Sequence, residues 1–116
     1  MITIQKVSVK KDLENFVKFP FELYKNSKQW VPPIINQEIN SFKPELNPNI
    51  KNSDVNMFIA YKNNIICGRI AVLINWQEVK IQKINKVRFG WFDFIDDLGV
   101  SKQLLDKVYE LSLIHI

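Results

Sequence analysis

The segment from Met57 to Ile74 constrains the fold more than any other part of the chain. Two apolar runs, Met57-Phe58-Ile59-Ala60-Tyr61 and Ile65-Ile66-Cys67-Gly68-Arg69-Ile70-Ala71-Val72-Leu73-Ile74, flank the polar triplet Lys62-Asn63-Asn64. Asparagine tolerates the positive φ that a tight hairpin turn demands. The pattern predicts an antiparallel hairpin. A further aromatic run, Val87-Arg88-Phe89-Gly90-Trp91-Phe92-Asp93-Phe94-Ile95, has strand character and extends the hairpin into a meander.

The flanking segments carry other periods. Ile2, Ile4, Val7 and Val9 alternate with polar residues, which predicts a strand over Ile2–Val9 with one buried face. Leu13, Phe16, Val17, Phe21 and Tyr24 share one face of a helix, and Pro20 is expected to kink or split it. Gln29-Trp30-Val31-Pro32-Pro33 reads as a loop, because adjacent prolines force extended backbone before them. Ile34, Ile35, Ile39 and Phe42 then line a short second helix. Residues 43–56, rich in Asn, Pro and Lys, read as a surface connector. Val100, Leu104, Leu105 and Val108 mark the face of a last helix, with Asp96 and Asp97 placed to cap it. The order is strand, helix, helix, three antiparallel strands, helix, a mixed α+β arrangement within the α/β class.

Composition excludes several classes. At 116 residues, 47% hydrophobic and 24% charged, the chain has the make-up of one globular domain. Its apolar runs fall well short of the roughly 20 residues of a membrane-spanning helix. The alternating start, Met1-Ile2-Thr3-Ile4-Gln5-Lys6, is unlike a signal peptide. One cysteine, Cys67, permits no intramolecular disulfide, which agrees with a reducing cytoplasm and with a small buried hydrophobe. A net charge of +4 comes from 16 basic residues interleaved with 12 acidic ones, a scattered pattern that argues against a nucleic-acid partner. Trp76, Trp91, Phe89 and Phe92 read as a packed sheet face rather than a stacking platform for bases. Neither a P-loop, a dinucleotide fingerprint nor paired metal-ligand spacing occurs.

The order of elements, together with Ala60-Tyr61-Lys62-Asn63-Asn64-Ile65-Ile66-Cys67-Gly68-Arg69-Ile70-Ala71, resembles the front half of the GNAT superfamily of N-acetyltransferases. Trp30-Val31-Pro32-Pro33 and Phe89-Gly90-Trp91-Phe92 resemble a bacterial GNAT-like subgroup. The resemblance implies an acyl-CoA cofactor, acetyl-CoA or another, and an amine acceptor. It also implies that the fourth strand, with Phe92 and Phe94, runs beside the pantetheine arm. The following turn would then cradle the pyrophosphate on backbone N–H groups. Helix N-termini suit anions on physical grounds alone.

The superfamily's turn pattern places Arg or Gln, then Gly, then Gly or Ala at three positions that fall here on Asp96, Gly99 and Ser101, and only Gly99 matches. Gly99, Val100 and Ser101 are the candidate cofactor contacts, while the charges of Asp96 and Asp97 oppose a phosphate. The alternative is that Asp97 simply caps the helix. Asp93 is the carboxylate placed for a general base, with a solvent-facing position as its alternative.

Residues 1–110 thus read as the front half of a GNAT-like domain, with an inactive binding module of the same fold as the alternative. The end of the chain reads differently. Leu111-Ser112-Leu113-Ile114-His115-Ile116 is what CTG TCT CTT ATA CAC ATC encodes, which resembles a transposon-end sequencing adaptor. The tail 111–116 is expected to be foreign to the protein, and adaptor-trimmed reads that still encode it would overturn that expectation.

Overall fold

A computed structural model of the chain describes residues 1–43, 45–47, 53–75 and 87–114. Trp76, His115 and part of the 43–56 connector lie outside the described residues. The elements are β1 (Ile2–Lys6), α1 (Lys10–Leu23), α2 (Ile35–Ser41), β2 (Ser53–Lys62), β3 (Ile65–Asn75), β4 (Arg88–Phe94) and α3 (Leu98–Ile114). Among the described residues, four strands form one antiparallel sheet in the order β1-β2-β3-β4. Among the described residues, no helix is long and apolar enough to cross a membrane.

The hairpin is as expected at its turn, where Asn63 and Asn64 take φ of 55° and 65°. Two consecutive positive φ values match the right-handed twist of the flanking strands. β2, however, starts at Ser53, so Ser53 to Asn56 belong to the strand and not to the connector. Their pairing explains the difference: Ser53 to Asn56 face Val72 to Asn75, and a long partner strand recruits polar neighbours into its ladder. β1 is correspondingly short. It ends at Lys6, although Val7 still donates its N–H to the Met57 carbonyl at 2.8 Å, and Val9 turns out to solvent at the start of α1.

α1 runs unsplit through Pro20, so of the two expected effects of that proline, a kink or a split, the split does not occur. A proline inside a helix removes the N–H that would bond the carbonyl four residues back. That carbonyl, on Phe16, accepts at 2.9 Å from Nη1 of Arg69 on β3. A cross-element donor has replaced the missing helical one.

Both faces of the sheet are covered. On one side α3 packs Val100 and Leu104 against Phe58, Ala60, Cys67, Ile70 and Val72, with Phe92, Phe94 and Val108 at the margin. On the other, α1 and α2 set Phe16, Val17, Ile39 and Phe42 over Ile59, Ala71 and Trp91. Full burial of such a side chain contributes about 1.5–3 kcal/mol, so these two layers supply most of the driving force. Leu105 departs from its expected place. It is 40% exposed, because the core-facing stripe of α3 follows Val100, Leu104, Val108 and Leu111.

The α3 layer leaves little room at Gly68. A Cβ there would lie 2.8 Å from Val100 Cγ1, 2.9 Å from Leu104 Cδ1 and 3.3 Å from Phe94 Cβ. Gly68→Ala is therefore expected to overpack the core and lower stability by about 1–3 kcal/mol in urea unfolding. A variant as stable as wild type would show that α3 lifts away freely.

Candidate functional site

The distinctive chemistry of the molecule lies where β4 leaves its ladder. Arg69 pairs with Asp93 and Ala71 with Gly90, so Trp91 and Phe92 together oppose Ile70 in a β-bulge. Trp91 takes φ of 47°, a region that bulky side chains rarely enter and that costs on the order of 1–3 kcal/mol. Its indole offsets that strain by lying 4.9 Å from the Phe42 ring and donating Nε1–H to Glu38 at 3.4 Å.

The bulge decides which side chains meet. Asp93 faces the α1 layer, where its Oδ2 accepts from Arg69 Nε at 2.9 Å and Nη2 at 2.8 Å. Its Oδ1 accepts from the Tyr24 hydroxyl at 2.6 Å. Arg69 and Asp93 side chains are 8% and 18% exposed, and the guanidinium carbon also sits 5.0 Å over the Phe16 ring. Trp30 closes the outer end, with its ring 5.6 Å from Tyr24 and 5.2 Å from Phe21. Asp93 is thus neither solvent-facing nor a lone carboxylate. It is the hub linking α1, β3 and β4.

Electrostatics follow from these contacts. Burial pulls the Arg69 guanidinium below its ordinary value, and the Asp93 carboxylate opposes that shift. The hydrogen bond to Asp93, followed by burial, pushes the Tyr24 phenol up to about 12. A phenol raised above its unfolded value of about 10 stabilises the fold fully below that pH. The contribution is lost as pH climbs through the folded value near 12. Tyrosinate absorbance is accordingly expected to show Tyr24 ionising together with loss of structure between about pH 10 and 12, and Asp93→Asn to bring that ionisation earlier. Ionisation at the free-tyrosine value in the folded wild type would contradict the 2.6 Å bond.

The other nominated residues lie elsewhere. Phe92 and Phe94 point away from Asp93, toward the α3 layer, with rings 4.9 Å apart. Strand alternation forces this separation. At the start of α3, Asp97 Oδ1 accepts the Gly99 N–H at 2.8 Å, while the Asp97 carbonyl accepts from Val100 and Ser101 at 3.1 and 3.3 Å. Asp97 is the helix cap, and Asp96 is exposed. Lys62 at the hairpin end reaches Asp97 Oδ2 at 3.1 Å, and this contact, with the Gly99 N–H, holds the Asp97 carboxyl below its usual range. Val100 is buried in the core, and Ser101 Oγ bonds the Leu98 carbonyl at 3.1 Å. Gly99, Val100 and Ser101 therefore share one helical turn whose donors Asp97 already engages.

Cys67 is 3% exposed and bulges from β3, and burial pushes its thiol up, so it is a neutral packing group. Among the described residues, no three His, Cys, Asp or Glu side chains are grouped to hold a metal ion. Arg69 and Tyr24 were not singled out from sequence. The available signals were a lone arginine inside an apolar strand and a proline four residues after a core phenylalanine.

Comparison with known proteins adds one relation. The chain is 32% identical over 95 residues to Protein YghO of Escherichia coli strain K12, a match that covers 82% of this chain. It spans only 24% of that protein's length. No protein-family model matches the chain, and no solved structure gives a significant match.

Proposed function

We propose that this chain is the front half of an acyl-CoA-dependent N-acetyltransferase-like domain, in which acetyl-CoA or another acyl-CoA lies along β4 and an amine accepts the acyl group. The observation that carries the reading is the β4 bulge at Trp91 and Phe92. A bulge leaves its extra residue outside the ladder, which supplies backbone amide groups to an extended, amide-bearing arm at the strand where the resemblance expects one. The order of strands and helices agrees with it.

On this reading the protein's own part is orientation of the two reactants, which alone lowers a bimolecular barrier substantially. Asp93 has both oxygens engaged, so proton transfer from an amine would pass through the Tyr24 hydroxyl or need that bond to open. Phe92 and Phe94 would line the β4 side of the cofactor, and the Gly99 N–H, released once the Asp97 carboxylate swings aside, would meet its phosphates, with Val100 and Ser101, whose N–H groups stay on the Asp97 carbonyl, beside it.

The same engagement of Asp97 and Asp93 favours a second reading, a binding module of this fold without catalysis. Acetyl-CoA separates the two. With the full-length protein, saturating acetyl-CoA at about 100 times Kd is expected to add about 2.7 kcal/mol to stability, and an added amine to release free thiol. Asp97→Asn, which keeps a capping oxygen and removes the charge, is expected to enlarge the thermal shift. Absence of both shift and thiol release sinks the acyltransferase reading, whereas a shift without release selects the binding module.

A further inference from the structure

We infer that Pro20 and Arg69 are a matched pair, in which the proline vacates an acceptor inside α1 and the arginine takes it, making Arg69 a positioning residue that ties α1 to the bulged part of β4. The pairing is independent of any ligand that β4 binds.

Three observations meet at one guanidinium. Pro20 lies inside α1 and is buried, so the Phe16 carbonyl has no helical donor from that residue. Arg69 Nη1 donates to that carbonyl at 2.9 Å. The remaining donors, Nε and Nη2, hold Asp93 Oδ2, two residues beyond Trp91 with its φ of 47°. The rigid planar fork of arginine presents these donors in fixed relative directions. Its position therefore sets the distance and angle between a backbone atom of α1 and the carboxylate of β4. Among the described residues, no buried side-chain nitrogen or oxygen lacks a partner, so the pairing is complete.

An ordinary helix would offer the Phe16 carbonyl its own N–H; the oxygen's two lone pairs admit both donors, but each bond to a shared acceptor is weaker, so the helical N–H and Arg69 would oppose one another there. Proline removes that competitor. Lysine could not replace the arginine, since a single ammonium cannot span the carbonyl and carboxylate with the same geometry.

The test is made on the complete chain. In Pro20→Ala, hydrogen exchange of the amide gained at position 20 reports whether this new N–H captures the Phe16 carbonyl. With Arg69 in place, exchange of that amide is expected to be at least about tenfold faster than in Pro20→Ala/Arg69→Met, where the acceptor is free. The Trp91 indole resonance is expected to move in Arg69→Met and in Arg69→Lys alike, as the bulge loses its anchor. Equal protection of the new amide with and without Arg69 overturns the inference. Should Arg69→Met not fold, Pro20→Ala alone still decides. A melting temperature within a degree or two of wild type is expected, whereas a rise of about 4–8 °C or more, as relief of an unfilled helix proline would give, overturns the pairing.

Discussion

Asp93→Ala is expected to destabilise the chain by about 3–5 kcal/mol, the usual consequence of removing one partner from a buried ion pair. The substitution leaves the Arg69 guanidinium, 8% exposed, without its counter-charge, and leaves the Tyr24 hydroxyl without its acceptor. For a domain whose total stability is on the order of 5–15 kcal/mol, such a loss moves the urea midpoint far toward zero. Asp93→Asn should cost less, because its amide oxygen still accepts from Tyr24 or Arg69. Arg69→Met combined with Asp93→Leu should cost less than Asp93→Ala, since no isolated charge then remains buried. If Asp93→Ala unfolds at the wild-type urea concentration, the carboxylate is not the hub of this packing. It would then be freer to act as a base than its contacts indicate.

Phe16→Ala carries a comparable loss, about 3–5 kcal/mol, for a different reason. The Phe16 ring is fully buried, with the Arg69 guanidinium carbon 5.0 Å from its centroid and the Phe42 ring perpendicular to it at a centroid distance of 5.7 Å. Its removal forfeits apolar burial, opens a cavity between α1 and the sheet, and strips the cation of an aromatic face. The carbonyl of residue 16 survives the change, so the Arg69 hydrogen bond to α1 should persist. Urea unfolding measures the first effect, and hydrogen exchange along α1 reports the second. Phe16→Leu, which retains most of the volume, should recover the larger part of the loss. A loss below about 1 kcal/mol for Phe16→Ala would mean that α1 and α2 collapse into the vacated space.

The outer side of β4 bears on handling of the protein. Among the described residues β4 has a strand partner only on the β3 side, and Phe89 on it is 49% exposed. An apolar edge of this kind templates further pairing. The bulge at Trp91 and Phe92 interrupts its regularity and so restrains that tendency.

Local chemistry in the sequence determined the parts of the fold that depend on near neighbours. Asn63-Asn64 dictates a tight turn whatever surrounds it, because few residues accept two successive positive φ values. The alternation of Ile2 and Ile4, the α1 stripe through Phe16 and Val17, and the Asp97 cap are likewise legible, since each reflects a short-range period or a local hydrogen bond. The start of β2 was not, because Ser53 to Asn56 are strand only by virtue of the partners that β3 offers them.

The candidate site was legible only in fragments. Asp93 stood out as a carboxylate in an apolar strand, but its partners lie 24 residues away at Arg69 and 69 away at Tyr24. No periodicity links positions so far apart. Tertiary structure alone decided that Pro20 would sit inside an unbroken helix, because the carbonyl it strands is satisfied by a side chain from another element. It also decided that Asp93 and the Gly99–Ser101 turn occupy opposite sides of the sheet, since a bulge of one residue sets which way each β4 side chain points. The hairpin from Met57 to Ile74 is thus a property of its own residues, whereas the charge network beside it is completed only once α1 brings the Tyr24 hydroxyl and the Phe16 carbonyl to the Arg69–Asp93 pair.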